Sequence, residues 1–320
     1  MLFTPRGPSL RWRDVPFTPR GPSLRMGEEV VMRSPTETAS ILVQALPYIQ
    51  RFHGRSVVVK LGGAAIDRAL DRALAQDVLL LRSVGVRCVL VHGGGPQVDA
   101  MMRRVGKEPE FRDGLRVTDA ETLEIVRMVL VGKINRDLVA TINREALEEP
   151  VAVGVSGEDA GLLTVTPRES WLGFVGDVSH VRASVLERLL DEGLSPVVST
   201  IGADETGQPY NVNADEAARA IAVAMAAEKI VYLTAAPGLL EDVNDESSLV
   251  PRLTSAELRE RIEHDSVSAG MIPKLRACAD AVDAGVGTAH IIDGRVPHAL
   301  LIELLTDEGI GTMVKRVKSW

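Results

Sequence analysis

Two cysteines in 320 residues, Cys88 and Cys278, are too few and too far apart for a disulfide framework. Both sit inside apolar patterns, so they read as buried free thiols of a protein in a reducing cytoplasm, and they carry no metal signature. Long apolar runs are missing as well. Stretches such as 57–59 and 221–227 fall far short of the roughly 20 residues needed to cross a bilayer, so no membrane span is expected. There is no basic excess either. A net charge of −8 argues against non-specific nucleic-acid binding and requires any anionic ligand to be held by a focused site. No Gly-x-x-x-x-Gly-Lys-Ser/Thr occurs, no Gly-x-Gly-x-x-Gly follows a strand, and no ligands stand at zinc spacing. A P-loop, a dinucleotide fingerprint and a protein metal site are therefore not expected.

What is present suits a globular protein, with 45% hydrophobic and 25% charged residues, enough for two domains or one large sheet covered on both faces. Residues 1–33 repeat Phe3-Thr-Pro-Arg-Gly-Pro-Ser-Leu-Arg11 as 17–25, and read as a disordered or artefactual extension upstream of Met26 or Met32. Ser34-Pro35-Thr36-Glu37 then has the pattern of a capping box with proline at the first helical position. In the helix it opens (34–54), Ile41, Leu42, Ala45, Leu46 and Ile49 form a stripe that either covers the sheet or docks on another subunit, and Pro47 is expected to kink it.

From Val57 onward strand and helix patterns alternate. Residues 57–61 read as a strand buried on both faces, followed by Gly62-Gly63, and 66–82 as a helix. Residues 87–92 repeat the arrangement, ending in Gly93-Gly94-Gly95-Pro96, so two glycine turns should meet at one sheet edge. A hairpin is expected over 107–117, a capping box at Thr118-Asp-Ala-Glu121, and a long helix to 146 bent at Gly132. A second hairpin excursion is expected within 162–181. Asn211-Val-Asn213-Ala-Asp215 opens a helix, with one of Asn213 and Asp215 as its cap. The remainder alternates likewise, ending in a strand at 311–314. The pattern predicts a three-layer αβα sandwich around a largely parallel, open central sheet.

Lys60, at the carboxyl end of the first strand, reads either as a ligand-facing ammonium or as a side chain that snorkels to water. Phosphoryl transfer requires mainly positioning and charge neutralisation. Lys60, Lys274 and the backbone donors of two glycine turns have the means for it, and Asp215 has the charge to hold both lysines.

Taken together, Lys60-Leu-Gly-Gly63, His92-Gly-Gly-Gly-Pro-Gln97, Gly114-Leu-Arg-Val-Thr118, Asn211-Val-Asn-Ala-Asp215 and Gly270-Met-Ile-Pro-Lys274 resemble, in order and spacing, the amino acid kinase family over residues 37–316. Within it they look like the members that phosphorylate N-acetyl-L-glutamate. The resemblance implies ATP, with magnesium carried by the nucleotide, as the phosphoryl donor for the γ-carboxylate, in arginine biosynthesis. It implies an amino-acid lobe over 55–228 and a nucleotide lobe over 229–320. It gives Lys60 and Lys274 to the transferring phosphoryl group, Asp215 to their orientation, Gly63, Gly94 and Gly95 to the reacting oxygens, and Arg116 and Asn211 to the substrate α-carboxylate. Gly62, Thr234, Ala235, Gly238, Ser266, Val267 and Ser268 fall where the family holds the nucleotide. A carboxylate nucleophile is already ionised at neutral pH, so no general base is required. Two positions depart from the family: Ala64 replaces a usual asparagine and Ala235 a usual aspartate, which points to weaker ATP binding or a lower rate. The kinked helix and the segment 306–312 resemble arginine-inhibited homohexamers built as trimers of dimers, with Tyr48, His290, Glu303 and Gly309 near the effector. A kinase for an N-acetyl-aminoadipate-type substrate, and a weakly active sensor of the same fold, remain as alternatives.

Overall fold

The computed structural model describes residues 34–63, 66, 72–112, 114–146, 149–264, 271–307 and 309–316, and the expectations for 1–33 lie outside them. The chain divides into two compact units, 1–41 and 42–320. In the first, the described residues open helix α1 (Pro35–Phe52). The capping box forms: Ser34 N–H donates to the Glu37 carboxylate at 2.7 Å, and Glu37 N–H donates to Ser34 Oγ at 3.2 Å. In the second unit α1 runs on through Pro47 and ends on the buried Phe52. Leu42 and Leu46 are 66% and 47% exposed, so this part of the apolar stripe does not cover the sheet.

The elements that follow are β1 (Ser56–Leu61), α2 (Arg72–Ser83), β2 (Arg87–His92), α3 (Gly95–Arg104), β3 (Phe111–Arg112), β4 (Leu115–Arg116) and α4 (Ala120–Arg127). After α4 come a π-helical turn (Met128–Ile134), α5 (Asn135–Glu145), β5 (Ala152–Ser156), β6 (Leu163–Pro167), β7 (Val175–Val181) and α6 (Ser184–Asp191). Then come β8 (Ser195–Ser199), β9 (Ile201–Ala203), β10 (Pro209–Val212), α7 (Ala214–Ala224), β11 (Lys229–Thr234), β12 (Arg252–Thr254) and α8 (Ser255–Glu263). The last are α9 (Ile272–Asp283), β13 (Thr288–Asp293), α10 (Ala299–Leu305) and β14 (Thr312–Lys315).

Eight strands form one sheet in the order β12-β14-β13-β11-β1-β2-β8-β5. Its pairings are parallel except β13 with β14. Alternate residues of β1 serve opposite layers, as the two-residue strand period requires. Val57, Val59 and Leu61 join the core that includes α2 and the π-helical turn, whereas Val58 joins the core that includes α7 and α9. Each of the three valines is fully buried, worth roughly 1.5–3 kcal/mol apiece. The expected three-layer sandwich is what forms.

Both expected hairpins are present: β3 pairs with β4, and β6 with β7, antiparallel. Strands β6, β7, β9 and β10 go further and close into a small four-stranded barrel that sequence periodicity did not suggest. Gly132 lies in the π-helical turn, so the expected bend takes the form of a locally widened helix. One cap is corrected. Asp119, not Thr118, caps α4 by accepting from Thr122 N–H, while Thr118 Oγ1 donates to the Arg116 carbonyl.

At the sheet edge, Asn143 on α5 fastens the entry into β5. Its Oδ1 accepts from Val151 and Ala152 N–H at 2.8 and 2.7 Å, and its Nδ2 donates to the Ala152 carbonyl at 3.0 Å. Asn143→Ala strands these part-buried groups and should lower the unfolding free energy by about 1–3 kcal/mol in urea titrations. An unchanged midpoint would refute that role.

Candidate active site

The carboxyl ends of β1, β2 and β11 lie side by side, with Lys60 level with Val91 and Tyr232. Lys60 shares a strand face with Val58 and so faces the α7 layer. There, Asn213 is the cap of α7: its Oδ1 accepts from Asp215 and Glu216 N–H at 2.9 and 3.2 Å. The Asp215 carboxylate is thereby left for the lysines. Lys60 Nζ lies 2.7 Å from Oδ1 and Lys274 Nζ lies 3.4 Å from Oδ2. Lys60 and Asp215 are buried, whereas the Lys274 side chain, from the first turn of α9, is 26% exposed. Burial works against the Asp215 anion, but the two ammonium groups outweigh it and hold its pKa below the usual carboxylate value. Burial pushes Lys60 down, with Lys274 adding to the effect and Asp215 opposing it. The result is a buried charge cluster with one cationic end reaching solvent.

The two glycine turns do meet. A Cβ on Gly63 would stand 2.5 Å from Pro96 Cδ, and Gln97 Nε2 donates to the Gly63 carbonyl at 3.4 Å. Gly94 is pressed against the π-helical turn, where a Cβ would stand 2.2 Å from Ile134 Cδ1. Gly62 N–H donates to the Leu233 carbonyl at 3.0 Å, which ties the first turn to the end of β11.

Beside the turns is a cavity of about 190 Å³ lined by Gly93, Gly94, Gly95, Arg116, Val175 and Asn211, among others. Arg116 is buried, with Nη1 2.5 Å from Asp99 Oδ1, Nη2 donating to the Gly95 carbonyl at 3.2 Å, and its guanidinium 4.7 Å from the Phe111 ring centre. Asn211 Nδ2 donates to Thr118 Oγ1 at 3.3 Å. A planar cation and a carboxamide at a concave wall have the donors that a small carboxylate would accept from.

Past β11 a second cavity, of about 320 Å³, is lined by Ala235, Gly238, Leu240, Met271 and Arg295, among others. Thr234 does not line it but shapes its rim, with Oγ1 donating to the Ala236 carbonyl at 2.9 Å. Ser266, Val267, Ser268 and Ala64 lie outside the described residues.

His290, Glu303 and Gly309 gather elsewhere, near the start of β11. His290 Nδ1 lies 2.5 Å from Glu303 Oε1, and Ile310 N–H donates to Glu303 Oε2 at 2.9 Å. Tyr48 Oη donates to Asp307. Gly309 has φ +63°, and a Cβ there would stand 2.7 Å from Glu303 Oε2, two reasons for glycine. Lys229, not foreseen from the sequence, joins this group. Burial lowers its pKa to about 8 against the pull of Glu303, and its Nζ lies 5.0 Å from the Phe52 ring centre.

Asp99, His92 and Asn135 were also missed. Asp99 lies on α3 and Asn135 follows the π-helical turn, so their partners are set by packing rather than spacing. His92 stood in plain view beside the glycines. It is fully buried, and burial takes its pKa down to about 4, with Arg136 adding to the effect and its bond to Gly93 opposing it. Between pH 6.5 and about 4 the unfolded chain therefore binds a proton that the folded one refuses, so stability is lost as the pH is lowered through that window, by about 3 kcal/mol in all. Melting curves over this range should show a shallower slope for His92→Asn than for the native chain; equal slopes would refute the assignment.

The amino acid kinase family model matches residues 55–293. The chain is 48% identical over 288 residues to the acetylglutamate kinase of Nostoc punctiforme, covering 89% of this chain and 96% of that one. It is 50% identical to that of Symbiobacterium thermophilum, covering 87% and 97%. Among solved structures, the N-acetylglutamate synthase of Neisseria gonorrhoeae complexed with coenzyme A and N-acetyl-glutamate superposes with a TM-score of 0.77 at 26% identity, covering 88% of this chain and 64% of that longer one. The carbamate kinase of Giardia lamblia bound to AMP-PNP, at 17% identity, has a TM-score of 0.63 over 82% of this chain and 99% of that one, a likeness of fold. With a family model spanning most of its length and relatives near half identical over 87–89% of it, the chain belongs to the amino acid kinase family.

Proposed function

We propose that this chain is a phosphotransferase that moves the γ-phosphoryl group of ATP to the γ-carboxylate of N-acetyl-L-glutamate, the acyl-phosphate-forming step in arginine biosynthesis. The observation that carries the reading is Asp215 held between Lys60 and Lys274 beside the Arg116–Asn211 cavity, in a chain 48–50% identical to acetylglutamate kinases. In this reading Arg116 and Asn211 hold the substrate α-carboxylate, and the γ-carboxylate reaches the glycine turns. Its oxygen, ionised without help, attacks the γ-phosphorus as the bond to the β-phosphate oxygen breaks, giving the acyl phosphate and ADP. Lys60 and Lys274 neutralise the equatorial oxygens, Gly63, Gly94 and Gly95 offer N–H donors, and Asp215 keeps the ammonium groups aimed. Gly62, Thr234, Ala235, Gly238 and 266–268 serve the nucleotide. Residues 55–228 form the amino-acid side and 229–320 the nucleotide side. Magnesium enters on the nucleotide phosphates, whose negative charge it offsets. Cytoplasmic residence fits Cys88 and Cys278, which are buried and unpaired, and among the described residues no helix is long and apolar enough to cross a membrane.

Regulation belongs to the same proposal. L-arginine needs an anion for its guanidinium and a cation for its α-carboxylate, and Glu303 and Lys229 offer both within the proposed Tyr48–His290–Gly309 site. The exposed Leu42, Val43 and Leu46 on α1 suit a contact between dimers in a homohexamer, three dimers in a ring.

In a hydroxamate assay with ATP and magnesium, N-acetyl-L-glutamate should give acyl phosphate faster than glutamate or N-acetyl-aminoadipate. Faster turnover of the aminoadipate would move the proposal to that substrate, and no turnover would end it. Lys274→Ala should lower kcat by roughly 10²-fold with a small change in KM. Millimolar L-arginine should inhibit, and Glu303→Gln should relieve that inhibition, in a particle that light scattering finds to be hexameric. A monomer, or activity indifferent to arginine, would remove the regulatory part.

A further inference from the structure

The His-Gly-Gly-Gly sequence keeps a buried imidazole next to the turn that the reaction uses, yet no step in the proposed transfer calls on it. His92 closes β2, is fully buried, and has defined partners on both ring nitrogens. Nδ1 is 2.9 Å from the Gly93 carbonyl and Nε2 is 3.2 Å from Asn135 Nδ2. The Asn135 amide is oriented by its other contacts: Nδ2 donates to the Val197 carbonyl at 2.8 Å, and Oδ1 accepts from Arg136 Nη2. A donor therefore faces Nε2, so Nε2 is the acceptor and the proton sits on Nδ1, aimed at the Gly93 carbonyl.

That carbonyl and the Gly94 N–H belong to one trans peptide, so they point in opposite directions. Holding the carbonyl from the core side turns the N–H the other way. Gly94 precedes the first turn of α3, where N–H groups have no partner within the helix, and it lines the anion cavity. The π-helical turn supports the arrangement twice. It brings Ile134 and Leu130 against Gly94, and it ends where Asn135 meets His92. An extra residue in a helical turn at this point fits a place where one side chain had to be re-aimed.

We propose that His92 is a positioning residue: as the Nδ1–H tautomer, locked by Asn135, it grips the Gly93 carbonyl and so aims the Gly94 N–H at the reacting oxygens. It exchanges no proton during turnover, and at neutral pH it stays uncharged. The inference rests on the phosphotransfer reading for its rate consequences, whereas the tautomer itself does not.

Two measurements test it. In 15N NMR of the whole chain without substrates, His92 should show a protonated Nδ1 and a bare Nε2 at neutral pH; a protonated Nε2 or an imidazolium would overturn the proposal. In the hydroxamate assay, His92→Asn keeps a donor near the Nδ1 position and should retain kcat within about threefold. His92→Gln, which places its amide near Nε2, should lose kcat by roughly tenfold or more with KM for N-acetyl-L-glutamate little changed. Native-like kcat in His92→Gln, or equal losses in both variants at equal melting temperatures, would overturn it. Should these variants fail to fold, Asn135→Ala decides: a fall in kcat at constant KM supports the lock, and an unchanged kcat refutes it. A native chain that fails to phosphorylate N-acetyl-L-glutamate would count against the functional reading instead, and the NMR result would still judge the tautomer.

Discussion

Two ammonium groups repel each other, and bringing one of them into a protein interior costs several kcal/mol unless an anion answers it. Asp215 is that anion, placed so that one oxygen meets Lys60 and the other Lys274. Much of the architecture follows from this demand. The three residues come from chain segments far apart in sequence, and they converge because parallel strands end at one edge with helices starting above them. Asn213 completes the arrangement by taking over the cap of α7, which spares the neighbouring carboxylate from satisfying backbone N–H groups.

In the proposed transfer the glycine turns answer a second demand, that backbone donors approach an anion closely without side chains in the way. Each turn is restrained from outside. Pro96 and Gln97 contact Gly63, and the Ile134 and Leu130 side chains close over Gly94. Arg116 is restrained as well, clamped by Asp99 and the Gly95 carbonyl and lying on Phe111. A guanidinium whose remaining surface faces a cavity has little rotamer freedom left to lose when a ligand arrives.

Much of the fold was legible because strand and helix periods are local properties. Val57, Val58 and Val59 announce a doubly buried strand, and Ser34 with Glu37 announces a helix start. The candidate site was legible where chemistry and spacing coincide, as at Lys60-Leu-Gly-Gly63 and around Asp215. What stayed hidden depends on contacts between distant segments: the barrel of β6, β7, β9 and β10, the pairing of Asp99 with Arg116, and the approach of Lys229 to Glu303. Asp119 took the cap expected of Thr118 because Thr118 is drawn into bonds with Arg116 and Asn211. That competition is invisible in a four-residue motif. His92 was visible but mute, since its meaning lies in which ring nitrogen meets Asn135.

Strand β1 is paired with β11 from Val57 with Lys229 to Leu61 with Leu233 and with β2 from Ser56 with Arg87 to Leu61 with His92, so the cavity beyond His92 and the cavity beyond Thr234 are joined by an unbroken ladder. A cut between them would break every one of those bonds. A relative displacement of the two cavities would therefore have to be absorbed as a change of twist between these strands, spread over their whole length. Such a change of twist would act as a torsion spring between Lys60, carried by β1, and Lys274, carried by α9, with the hydrogen-bond ladder supplying the restoring force.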